Sequence, residues 1–160
     1  MTRYLFIIFL FFGISEMTAQ PIHQMSFNQL QKKLNDIKDS IVVMNFWATW
    51  CKPCVEELPR FEELNKKYVN RKVKVILVSL DFNKKIKTDV EPFIKKKNLQ
   101  SHIWHITDTD PNTWINKIDT TWSGAIPATV IYDRFHHKVL FRETQMTFDE
   151  MEKIILPILE

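Results

Sequence analysis

The sequence predicts an α/β fold: a mostly parallel sheet with helices on both faces. Three observations carry that reading. Apolar strands and amphipathic helices alternate along the chain. The central strands are apolar on both faces, as strands covered on each side must be. The last two strands are joined by a short polar turn, which closes the sheet with an antiparallel hairpin. The chain has 160 residues, one domain's worth. Hydrophobic residues make up 45% and charged residues 26%, which excludes wholesale disorder. With two Gly and two Cys, a collagen-like or multi-disulfide scaffold is excluded as well. The net charge of +3 is too small, and too evenly spread, to indicate a nucleic-acid partner.

The chain opens on a leader. Arg3 is a short positive region, Tyr4 to Ile14 is an apolar run, and Ser15 to Ala19 is more polar and ends on a small residue. A spanning helix needs about 20 apolar residues, and this run breaks at Glu16. A cleaved secretory signal over residues 1–19 is expected, followed by one domain over 20–160. An uncleaved anchor in the inner membrane is the alternative. Export, to the periplasm, follows, with no stable membrane insertion after cleavage. Gly124 is then the only glycine left.

Ser26 and Gln29 form a capping box ahead of Phe27, Leu30, Leu34 and Ile37, so the spacing predicts a helix over 27–38. Ile41 to Trp47 is a strand, apolar apart from Asn45. Val55, Leu58, Phe61, Leu64 and Tyr68 mark a helix over 52–69, with Pro59 expected to kink it. A strand follows over 72–80. Thr88 and Glu91 read as a second capping box, opening a helix that runs to Leu99. Ile103 to Ile106 is a short strand. Asp110-Pro111 reads as an N-cap with Pro at the first helical position, and Trp114, Ile115 and Ile118 face inward behind it. Ala128 to Tyr132 and Val139 to Arg142 are the hairpin strands. Thr147 and Glu150 cap the last helix, lined by Phe148, Met151, Ile154, Ile155 and Ile158.

Chemistry concentrates in Cys51-Lys52-Pro53-Cys54, where a buried strand gives way to a helix. Residues three apart on a helix lie about 5–6 Å apart at Cβ, so small rotamer changes let the two sulfurs bond or part. Cys51 falls at the helix N-terminus, where free N–H groups and the helix dipole favour an anion. The thiolate is the nucleophile, so Cys51 is the expected attacker and Cys54, one turn further in, the resolving thiol. The loop this pair closes is too short for a useful structural staple. Half a zinc site is the other reading of such a pair, but no second Cys pair exists, and His102, His105, His136 and His137 would have to complete it. The lysines at 84–87 and 95–97 read as solvated faces.

The run Asn45-Phe46-Trp47-Ala48-Thr49-Trp50-Cys51-Lys52-Pro53-Cys54 resembles the active-site signature of the thioredoxin superfamily, and most of all its extracytoplasmic TlpA/ResA-like branch. The resemblance covers about residues 26–160. It implies a thioredoxin-like fold: a central mixed sheet with helices on both faces and an inserted helix–strand segment between Asp81 and Thr107 that selects partners. It also implies that Pro127 is cis and that the backbone of the preceding Ile126 pairs with the substrate chain. Glu57 resembles a glutamate this branch places near its thiols, suited to exchange protons with Cys54. Asn45 departs from thioredoxins proper, which carry a buried Asp there, and this shifts proton handling toward Glu57. Trp50 is expected in an apolar docking surface, while Trp47, Trp104, Trp114 and Trp122 are packing residues. Protein disulfides are the implied substrates and a membrane thiol reductase the implied electron donor, with no dissociable cofactor and no metal. A copper-binding thioredoxin-like chaperone and a thiol peroxidase are the alternatives.

Overall fold

The structure, a computed structural model, describes residues 20–159. The expected leader over residues 1–19 lies outside the described residues. Six strands form one sheet: β1 (Ile22–Met25), β2 (Ile41–Trp47), β3 (Val73–Ser79), β4 (His102–Ile106), β5 (Ala128–Tyr132) and β6 (Lys138–Arg142). Their spatial order is β1-β4-β3-β2-β5-β6. The pairs β1–β4, β4–β3 and β3–β2 are parallel, whereas β5 runs antiparallel to both β2 and β6. The helices are α1 (Phe27–Asn35), α2 (Lys52–Tyr68), α3 (Glu91–Lys97), α4 (Ile115–Ile118) and α5 (Phe148–Leu159).

β2 explains why the sheet is covered on both sides. All seven of its residues are buried. Successive side chains on a strand point to opposite faces, so Ile41, Val43 and Trp47 enter one core and Val42, Met44 and Phe46 the other. The first core is closed by Leu58, Phe61, Leu64 and Tyr68 of α2 and by Met151 and Ile155 of α5. The second is closed by Phe27, Leu30 and Leu34 of α1 with Trp114, Ile118 and Trp122. Burying one such side chain fully contributes roughly 1.5–3 kcal/mol. Trp47, Trp104, Trp114 and Trp122 are all buried, as packing residues should be.

The outer capping boxes form as the sequence indicates. Ser26 accepts the Gln29 N–H, and the Gln29 side chain accepts the Ser26 N–H. At α5, Thr147 Oγ1 accepts the Glu150 N–H at 3.2 Å and Glu150 Oε2 accepts the Thr147 N–H at 2.8 Å. Thr147→Ala is expected to cost about 1 kcal/mol, read as a lower urea midpoint at unchanged slope.

Elsewhere the structure departs from the expectation. Thr88 caps nothing. The chain is already helical from a 3₁₀ turn at Asn83–Lys85, which passes through a π turn at Ile86–Val90 into α3. Thr88 therefore sits inside a wound segment, and Pro92 occupies the first turn of α3. The helix expected after Asp110 is a 3₁₀ turn at Pro111–Thr113 followed by the single turn of α4. Between them Trp114 leaves the helical path (φ −136°) and buries its ring 5.7 Å from Phe27 and 6.3 Å from Phe46. Core packing overrides local preference there. β1 is an element the sequence pattern did not announce. α2 itself runs through Pro59 as one helix, Lys52–Tyr68, close to the expected 52–69. His136 is half-buried, with Nε2 2.6 Å from the Ile37 carbonyl.

Candidate active site

β2 ends at Trp47, and a tight turn, closed by the Cys51 N–H donating to the Ala48 carbonyl at 3.1 Å, delivers Cys51 to the start of α2. Cys51 is the N-cap of that helix, and its Sγ accepts the Cys54 N–H at 3.3 Å. The two cysteines form a disulfide with Cα atoms 5.3 Å apart. They are unequal in access: Cys51 is 6% exposed and Cys54 is 0%. A backbone N–H aimed at the sulfur, together with the helix N-terminus, is the environment that lowers a thiol pKa. Lys52 and Pro53 lie exposed between the cysteines, and the Pro53 carbonyl accepts the Gln145 side-chain amide at 2.7 Å.

The Ile126–Pro127 peptide bond is cis, as the resemblance implied, and Pro127 is buried. Cys51 Sγ stands 3.7 Å from the Ile126 carbonyl oxygen. The segment ahead of Pro127 is held from two sides. Trp122 Nε1 donates to the Ala125 carbonyl at 2.8 Å, and Glu143 accepts the N–H groups of Ser123 and Ala125 at 3.2 and 2.8 Å. Gly124 has φ +93°, a backbone conformation that calls for glycine.

Glu57 is not a solvated helix residue. One turn beyond Cys54 on α2, it is fully buried. Its Oε1 accepts Asn45 Nδ2 at 2.7 Å and its Oε2 accepts the Met146 N–H at 2.9 Å. Burial outweighs these donors and pushes its pKa up to about 7. Asn45 Nδ2 also lies 3.1 Å from Thr129 Oγ1, while Asn45 Oδ1 has no partner among the described residues. The strand thus supplies a donor where an Asp would supply a second carboxylate.

Trp50, 64% exposed, flanks the disulfide. It lines a groove of about 530 Å³ together with Phe82, Thr107, Gly124 and Ile126. The structure therefore brings Cys51, Cys54, Glu57, Trp50, Ile126 and Pro127 to one end of the sheet. Sequence reasoning missed Asp81, Thr129 and the Met146 N–H. Their partners lie 32 to 89 residues away, and no local spacing signals such contacts.

A reducible pair capping a helix, beside a cis-proline on a mixed sheet, defines a thioredoxin-like fold. The chain belongs to the AhpC/TSA family, whose model matches residues 17–139. It is 34% identical over 103 residues to the thiol-disulfide oxidoreductase ResA of Bacillus cereus, a match covering 64% of this chain and 54% of ResA. It is 41% identical over 63 residues to the thioredoxin-like protein YneN of Bacillus subtilis, covering 39% of this chain and 36% of YneN. These matches span about half or less of the relatives' lengths. A secreted thiol-disulfide isomerase from Corynebacterium glutamicum shares the fold, with a TM-score of 0.67 at 18% identity over 79% of this chain and 74% of that one.

Proposed function

We propose that this protein is an extracytoplasmic thiol-disulfide oxidoreductase that reduces protein disulfides through a Cys51/Cys54 cycle. The observation that carries this reading is the Cys51–Cys54 disulfide at the start of α2, with the more accessible sulfur receiving a backbone N–H and facing the Ile126 carbonyl. In the reduced protein the Cys51 thiolate attacks one sulfur of a substrate disulfide. The other substrate sulfur leaves with the bonding electron pair and takes up a proton. Cys54 then gives up its proton, attacks Cys51 Sγ and expels the second substrate thiolate. Two electrons pass to the substrate and the Cys51–Cys54 bond closes. Glu57, one turn beyond Cys54 on α2, takes the Cys54 proton in this cycle.

The Ile126 backbone pairs with the substrate chain, Pro127 holds that backbone in place, and Trp50 supplies an apolar contact beside the sulfur. Lys52 and Pro53 keep the pair at one-turn spacing with an open outer face. The segment 81–107 selects partners, a role supported by the place of Phe82 and Thr107 in the groove beside Trp50. The leader over residues 1–19 exports the thioredoxin-like domain over 20–160, and a membrane thiol reductase recharges the pair. Among the described residues no helix is long and apolar enough to cross a membrane.

The deciding measurement is equilibration of the pair with glutathione, alongside reduction of insulin disulfides. A potential near that of thioredoxin, about −270 mV, is expected, whereas one near that of DsbA, about −120 mV, would reverse the direction. Stoichiometric Cu(I) binding without disulfide reduction would replace this reading with the copper chaperone, and thiol-driven peroxide consumption with the peroxidase.

A further inference from the structure

The carboxylate of Asp81 has no part in the chemistry above, yet it is 4% exposed and faces the loop that carries Cys51. Its Oδ1 accepts Thr49 Oγ1 at 2.6 Å, and its Oδ2 accepts the Thr49 N–H at 3.1 Å and Ser79 Oγ at 3.0 Å. The clamp is braced from behind. The Ser79 carbonyl lies 3.0 Å from His105 Nδ1, which must donate to it. Three buried polar residues, His105, Ser79 and Asp81, thus link β4 and the end of β3 to half-buried Thr49, two residues before Cys51. Thr49 is a central residue of the turn that the Cys51 N–H closes on Ala48.

We infer that Asp81 is a positioning residue for Cys51: by fixing Thr49 it holds the 48–51 turn so that the sulfur caps α2 and meets the Cys54 N–H. The inference rests on the dithiol reading above. Its physics is geometric. The N–H···S contact at 3.3 Å and the helix N-terminus stabilise a thiolate only while the turn keeps its register. Without the clamp, Thr49 loses the acceptor for both its N–H and its hydroxyl, and the turn relaxes toward whatever partners it can find.

The test is the pH profile of iodoacetamide alkylation at Cys51 in the reduced full chain, read by mass, alongside disulfide reduction. Asp81→Ala is expected to raise the apparent thiol pKa by about one unit and slow alkylation at neutral pH about ten-fold, with Asp81→Asn within about two-fold of wild type. The Asn oxygen can still accept both Thr49 donors, and its amide can donate to Ser79 Oγ. A residue that merely stabilised the fold would lower the unfolding midpoint and leave the alkylation profile of the folded protein unchanged. An unchanged profile in Asp81→Ala overturns the inference, and so does a lowered thiol pKa, which would make the effect one of the removed negative charge. If Asp81→Ala does not fold, Thr49→Val decides, since it removes only the hydroxyl bond: a raised thiol pKa supports the clamp and a wild-type profile overturns it. A wild-type pair that neither exchanges with disulfides nor shows a reactive thiol would overturn the dithiol reading itself. A reactive wild-type pair with indifferent variants overturns the positioning role alone.

Discussion

Cys51→Ser is expected to lower insulin reduction to the uncatalysed background, while Cys54→Ser leaves a protein that attacks once and stops. The asymmetry follows from the site. Cys51 is the sulfur at the helix start with a measure of access, and Cys54 is sealed one turn inside. A serine hydroxyl at position 51 is not ionised near neutral pH, so no nucleophile remains. With Cys54 replaced, the Cys51 thiolate still opens a substrate disulfide, but nothing attacks the resulting bond from within. A mixed disulfide should accumulate as a covalent adduct on non-reducing gels and vanish with dithiothreitol. Retained turnover in Cys51→Ser would refute the assignment of the nucleophile.

Glu57→Gln should change how both stability and rate depend on pH. In the folded protein Glu57 keeps its proton up to about pH 7, against an ordinary value of 4.5, chiefly because it is buried. Between those values the native state holds a proton that the unfolded chain has released. The contribution is therefore fully present below pH 4.5, declines as pH rises toward 7, and is flat above. Its size is at most about 3 kcal/mol. The variant should lose this decline, measured as the difference between wild-type and variant urea midpoints from pH 4.5 to 8. Taking the difference matters because burial lowers the pKa of His105 and His102, which gives stability the opposite slope below their ordinary value. The glutamine amide can meet Asn45 Oδ1, otherwise without a partner among the described residues, once that side chain turns over. The pH–rate profile for disulfide reduction should lose a limb near pH 7 in the same variant. A wild-type limb that survives Glu57→Gln would remove Glu57 from proton transfer.

How much of this could be read from the letters differs from element to element. β2 was legible to the residue, because a strand buried on both faces can hold only apolar side chains and Ile41 to Trp47 comes close to that. α2 and the capping boxes at Ser26 and Thr147 were legible because their contacts lie three or four residues apart. β1 was not. It is an edge strand of four residues, two of them exposed, attached through its backbone to β4, and backbone pairing leaves no mark on composition. Thr88-Glu91 carried a valid local signal that lost to a helix already started at Asn83. The reactive pair and the proline were plain from spacing and resemblance. The surroundings of Glu57 were not, because Asn45 and Met146 reach it from another strand and from the approach to the last helix. Asp81 looks like any acidic residue after a strand until the fold sets Thr49 against it.

β2 has a neighbouring strand on each side and a layer of helices above and below. Partial openings of a protein begin where backbone amides face water, at edges and ends. In this sheet that means β1 and β6, each three or two strands removed from β2. The strand that carries the reactive turn is thus insulated from breathing at the periphery, which leaves the clamp on Thr49 as the one local contact that has to hold the sulfur's aim.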